Sequence, residues 1–204
     1  MGDNRLGAIA DDLATQGWSW QPALMPEALT RALREELVAR EAAAALEAAG
    51  IGRESDYQVD RTIRRTRITW FDGSTPAQQD FQMWTEALRA SLNRELMLGL
   101  FEMEVCFAVY PPGGFYERHL DSFAGARNRV VSLVAYLNED WDEARGGALA
   151  VWNEGAADGA EPLCGGSKPR RARSLWDRMA TCMLHAARSA AAVADSRPAL
   201  PSPL

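Results

Sequence analysis

The chain has 204 residues, with a hydrophobic fraction of 47% and a charged fraction of 25%, values of an ordinary soluble globular protein that exclude a disordered chain. The length suits one domain with a substantial core, and no apolar run approaches the roughly 20 residues that span a bilayer, which argues against a membrane protein. A net charge of -6 argues against binding to nucleic acid, because a phosphate backbone asks for a basic face.

The first residues, MGDNRLGAIADDLATQGWSW, carry early acidic residues and no continuous apolar core, so neither a secretion signal nor a transit peptide is expected. From Pro26 to Ala49, strong helix formers place Leu29, Leu33 and Leu37 at intervals of four, with Gly50 beyond the end, which predicts an amphipathic helix. A second helix is predicted from Pro76 to about Gly99, where Phe81, Trp84, Leu88, Leu92 and Leu96 recur every three or four residues.

Beyond residue 100 the pattern changes. EVCFAVY (104–110), RVVSLVAYL (129–137) and ALAVW (148–152) are short β-branched and aromatic runs bounded by Pro, Gly, Asn and Asp, and they read as strands. Helices followed by strands suggest a mainly β or α+β architecture supported by N-terminal helices, not a parallel α/β sheet. Three cysteines, Cys106, Cys164 and Cys182, form an odd set without metal-type spacing, which suits free thiols in a reducing cytoplasm.

The chemistry concentrates in GGFYERHLDSF, residues 113–123. His119 and Asp121 stand two apart, and in extended chain that spacing sends both side chains to one face. Two histidines and one carboxylate on one face of an octahedron hold Fe(II) and leave three positions open. The chain has two histidines, His119 and His185, 66 positions apart. Read from residue chemistry alone, His185 is equally well a third ligand or an incidental residue of a helix or tail. Gly113 and Gly114 are expected to permit a close backbone approach just before His119, and Gly146 and Gly147 a turn.

EVCFAVYPPGGFYERHLDSF, NRVVSLVAYLNEDW, GGALAVW and, upstream, RITWFDG resemble the catalytic core of prolyl 4-hydroxylases of the oxygen-sensing type, in their bacterial and animal forms. The resemblance covers roughly residues 55–162. It implies a double-stranded β-helix, the jelly roll of cupin-like proteins, with residues 1–100 as helical support and 101–204 as the oxygenase core of one compact domain. It implies Fe(II), with 2-oxoglutarate and O2 as co-substrates, and ascorbate as a candidate addition. The implied activity is hydroxylation of a proline in a protein or peptide, with succinate and CO2 as co-products.

Residue by residue, His119 and Asp121 match the family's first two iron ligands, and His185 is the one candidate for the third. Tyr136 and Tyr110 match tyrosines of the 2-oxoglutarate pocket; the alternative for both is a core aromatic, the commoner fate of a strand tyrosine, and for Tyr136 the match favours the pocket. Arg197, twelve residues after His185, is the positional match for the arginine that binds the distal carboxylate; its alternative is a solvated tail residue. Arg129 matches an arginine near the substrate entrance, or is a surface charge at a strand edge. A small-molecule 2-oxoglutarate hydroxylase is the nearest enzymatic alternative.

The resemblance fails at the end. Residues 166–204 hold seven basic and two acidic residues, a balance of +5, so the remainder of the chain carries -11. RSLWDRMATCMLHAARSA (173–190) replaces the apolar strand and His-Glu-Val ending of the family, and little strand is expected there. A shifted reading frame in a GC-rich gene would produce such a change, and the nucleotide sequence over codons 160–180 tests it. A chain altered in this way would be a catalytically impaired relative.

Overall fold

The computed structural model describes residues 3–51, 58–120, 130–139, 149–152, 157, 160, 164–165, 179–181, 183–186 and 192–195, and for Asp3, Leu120 and everything from Cys164 onward it describes the backbone alone. Helix α1 (Asp3–Gln16) turns Leu6, Ile9 and Ala10 inward, and they pack with Leu88, Leu92, Leu100 and Val131. The spacing of Leu6, Ile9, Ala10 and Leu13 is the helical signal that reveals this element.

Helix α2 (Glu27–Ala42) buries Leu29, Leu33 and Leu37, the residues of the predicted leucine stripe. It ends seven residues before the predicted boundary at Ala49. Ala44 adopts a left-handed conformation, φ 53°, and the amides of Ala43, Ala44 and Ala45 close the helix on the carbonyls of Ala39, Glu41 and Arg40. The chain then turns into strand β1 (Glu47–Ala48), which pairs with Arg67 and Ile68 of strand β2 (Arg67–Trp70). Alanine-rich sequence favours helix by only tenths of a kcal/mol per residue, and strand pairing overrides it.

Helix α3 (Pro76–Leu96) runs as expected, from Thr75, whose hydroxyl accepts the Gln78 amide, to Met97 in the left-handed region. Its start is tied to α2 through a partly buried polar cluster around the buried Gln78. Glu36 accepts from Arg40 Nε at 2.7 Å, Thr75 Oγ1 at 2.6 Å and Gln78 Nε2 at 2.6 Å, while Gln78 Oε1 takes the amides of Asp72 and Gly73. Buried polar groups need such full satisfaction.

Every paired strand is antiparallel. Strand β3 (Cys106–Tyr110) lies between β2 and β8 (Met179–Thr181), completing a sheet in the order β1-β2-β3-β8. Strand β4 (His119–Leu120) pairs with β10 (Ala192–Asp195), which pairs in turn with β6 (Leu149–Trp152), and β7 (Cys164–Gly165) lies outside β6. Strand β5 (Val130–Val134) pairs with β9 (Met183–Ala186). Among its described residues the C-terminal segment thus contains three strands where little strand was expected. Strands β3, β5, β4 and β6 offer backbone donors and acceptors that must be paired, and this requirement recruits chain of weak strand propensity.

Behind β3 lies the main apolar cluster: Leu33, Phe81, Phe107, Val109 and Leu137 with their neighbours. Phe71 packs on Phe107 with ring centroids 4.5 Å apart and planes tilted by 49°, and meets Phe81 edge-on at 5.8 Å. Cys106, in β3 between Val105 and Phe107, is buried. Among the described residues no helix is long and apolar enough to cross a membrane.

Candidate metal centre

The segment leading to His119 is docked on the chain just before β2. The Arg65 amide donates to the Phe115 carbonyl at 2.7 Å and the Glu117 amide to the Ile63 carbonyl at 2.9 Å, so Arg64 and Tyr116 stand opposite each other in an antiparallel bridge. Gly113 takes a positive φ of 70°. At Gly114 a Cβ would lie 2.7 Å from the Pro111 carbonyl oxygen and 2.8 Å from that of Arg65, closer than side chains come to backbone oxygens. The glycine pair therefore provides the expected close approach, with Gly114 as the position that no larger residue fills.

This docking delivers the imidazole in a defined state. His119 Nδ1 lies 2.7 Å from the Glu117 carbonyl oxygen. A carbonyl can only accept, so Nδ1 carries a proton, and in the neutral ring the lone pair then sits on Nε2, the arrangement typical of a metal-ligating histidine. The ring is half-buried and stacks on Tyr116, with centroids 3.6 Å apart and planes inclined by 19°. The Arg64 guanidinium carbon lies 4.5 Å from the Tyr116 centroid. Neither Tyr116 nor Arg64 was singled out in the sequence, where the signal available was an aromatic three residues before the histidine.

Of the other expected site residues, Tyr110 closes β3 opposite Met179. The Tyr136 hydroxyl accepts the Leu149 amide at 3.1 Å, which ties the end of the β5 segment to the start of β6. His185 lies in β9, the partner of β5, whereas the β4 strand of His119 pairs with β10, His119 opposite Val193. Asp121, Arg129, Arg197, Gly146 and Gly147 lie outside the described residues. Among the described residues no three His, Cys, Asp or Glu side chains gather into a metal site. The donor chemistry that is described, an imidazole with Nδ1 engaged and Nε2 carrying the lone pair, fits a divalent metal.

The sequence profile of the 2OG-Fe(II) oxygenase superfamily matches residues 105–195. A Pseudomonas putida prolyl-4-hydroxylase superposes with a TM-score of 0.70 at 34% identity, over 94% of this chain and 92% of that one. The chain belongs to the prolyl hydroxylase-type 2OG-Fe(II) oxygenases. Human Egl nine homolog 1 is 30% identical over 118 residues, 54% of this chain. This oxygenase spans only about a quarter to a third of the length of the human, rat and mouse Egl nine homologs, 27%, 34% and 29% of them. A Trichoplax adhaerens prolyl hydroxylase, solved with a hypoxia inducible factor peptide fragment, shares the fold at a TM-score of 0.64 and 16% identity, over 96% of this chain and 90% of that one. Membership of the oxygenase family implies Fe(II), with 2-oxoglutarate and O2 as co-substrates.

Proposed function

We propose that this oxygenase hydroxylates a prolyl residue of a protein or peptide in the cytoplasm, converting 2-oxoglutarate and O2 to succinate and CO2. The observation that carries the reading is the His119 imidazole, held with Nδ1 protonated, within a chain that matches a prolyl-4-hydroxylase along nearly its whole length. In this reading residues 1–100 support a double-stranded β-helix built by residues 101–204, and His119, Asp121 and His185 hold the iron. Bound iron supplies the oxygen chemistry: 2-oxoglutarate loses CO2, one oxygen atom enters succinate and the other enters a prolyl C–H bond.

The protein's own residues orient the reactants. Arg197 offers the distal carboxylate of 2-oxoglutarate a planar, bidentate cation. Tyr110 and Tyr136 line the same pocket. A phenol that accepts a backbone amide, as Tyr136 does, has its own O–H to donate to a carboxylate. Arg129 serves the peptide at the entrance, and ascorbate is an accessory.

The test is incubation of the full chain with Fe(II), 2-oxoglutarate, air and proline-containing peptides, followed by mass spectrometry. Gain of one oxygen on proline, matched by succinate, is the expected result. Succinate with no oxidised proline in any peptide or protein extract would favour a small-molecule hydroxylase instead.

One observation favours a second reading, an impaired relative: the strand of His185 pairs with β5, while that of His119 pairs with β10. Under anaerobic conditions Fe(II) and 2-oxoglutarate give a weak visible charge-transfer band when chelated in such a centre. A folded protein without that band is the impaired relative.

A further inference from the structure

We propose that Tyr116 and Arg64 are positioning residues for the metal ligand, with the Tyr116 ring fixing the His119 imidazole and Arg64 fixing Tyr116. The inference rests on the metal-centre reading of His119.

The hydrogen bond from Nδ1 to the Glu117 carbonyl sets the tautomer, and a hydrogen bond of this kind does not by itself define the plane of a ring. A planar neighbour removes this freedom. Tyr116 supplies it, at 3.6 Å between centroids and 19° between planes, close to parallel. A space-filling aliphatic side chain would bury the imidazole equally well without defining its plane.

Tyr116 is held in turn from the neighbouring segment. Its backbone is bridged to Arg64, between the Arg65–Phe115 and Glu117–Ile63 hydrogen bonds. The Arg64 guanidinium sits 4.5 Å from the ring centroid, within the range of a cation–π contact. Arg64 is itself fixed, donating from Nε to Thr66 Oγ1 at 2.8 Å and from a terminal nitrogen to the Gly50 carbonyl at 3.2 Å. A long side chain anchored at two further points has lost its rotamer freedom on folding. It then holds the aromatic ring at little additional entropic cost.

Outer contacts of this kind change metal affinity by about 10- to 100-fold when removed. The experiment compares the full-length wild type with Tyr116→Leu, Tyr116→Phe and Arg64→Gln, each checked for fold by circular dichroism. The first readout is Mn(II) affinity in the presence of 2-oxoglutarate, from the electron paramagnetic resonance signal of unbound Mn(II). The second is the tautomer of the metal-free protein by 15N NMR, where the chain's two histidines leave few signals to assign.

Tyr116→Leu is expected to weaken Mn(II) binding about tenfold and, by letting the ring swing off the Glu117 carbonyl, to mix the two tautomers of His119. Tyr116→Phe keeps the stack and should stay within about twofold of wild type, and Arg64→Gln should lose about threefold, in line with a modest cation–π contact. Wild-type affinity and tautomer in Tyr116→Leu would overturn the role of Tyr116, as would a loss in Tyr116→Phe equal to that in Tyr116→Leu. If Tyr116→Leu does not fold, Arg64→Gln with unchanged affinity and tautomer overturns the clamp. A wild type that takes up no Mn(II) overturns the metal-centre reading, and the NMR arm then decides the clamp alone.

Discussion

The apolar layer behind β3 and the segment that carries His119 are held by different forces. In the layer, Leu33, Phe81 and Phe107 are fully buried and are secured by burial and dispersion, which have little direction. In the segment, residues 114–119 are held by backbone hydrogen bonds to residues 63–65, a glycine without room for a side chain, and a ring stack. These interactions are directional and individually modest. Stability therefore concentrates in one region and geometry in the other, so substitutions in the two should have separable effects.

The largest expected effect is functional and leaves the layer untouched. His119→Ala should abolish 2-oxoglutarate turnover while lowering unfolding free energy by no more than about 1 kcal/mol. A variant that turns over, or one that unfolds far more easily, breaks the separation. Phe107→Ala should do the converse, lowering stability by roughly 3–5 kcal/mol in urea denaturation, a large share of a typical domain's stability.

Gly114→Ala probes where the two regions touch. Its Cβ would meet the Pro111 and Arg65 carbonyl oxygens at 2.7 and 2.8 Å, and overpacking of this kind costs about 1–3 kcal/mol. It should also weaken metal binding, because the shift is transmitted directly to the His119 segment. Destabilisation with unchanged Mn(II) affinity would show that the docking serves the fold alone.

The smallest effect is in acid. The Asp60 carboxyl is held below the usual aspartate range chiefly by the Thr62 hydroxyl and then by the Thr62 amide, and Asp72 likewise by the hydroxyl and amide of Ser74. A lowered folded value makes the contribution complete above the ordinary aspartate value of about 3.9. It is lost as pH falls below that, through the folded value. Asp60 sits in the turn that leads to Arg64, so Asp60→Asn should flatten the loss of thermal stability as pH falls below about 4. An identical slope in the variant would remove Asp60 from that account.

Much of the N-terminal half was legible because it obeys short-range rules. The stripe of Leu29, Leu33 and Leu37 and the run from Phe81 to Leu92 repeat at helical period, and both form helices with those residues inward. Thr75 and Pro76 mark a helix start in any context. The strand at 104–110 was legible from its short β-branched and aromatic run and is shortened only at its start, to Cys106–Tyr110, and in the run 148–152 the described residues Leu149–Trp152 are strand. The end of α2 was not legible. Ala43 to Ala49 has helical propensity, and only the presence of β2 as a partner turned Glu47 and Ala48 into strand.

The sequence by itself singled out His119 and Asp121 as candidate iron ligands and the glycines before them, because ligand chemistry and backbone freedom are properties of residues at fixed short spacing. Tertiary structure alone decided that Arg64, 55 positions before His119, reaches it through Tyr116. It alone decided that the strand beside His119 is β10. Pairing across long loops is set by which edges are open and which side chains fill the same space, and no local period records that. The His119 tautomer belongs to the same class: it is fixed by the Glu117 carbonyl, whose direction exists only once residues 114–117 have docked on residues 63–65.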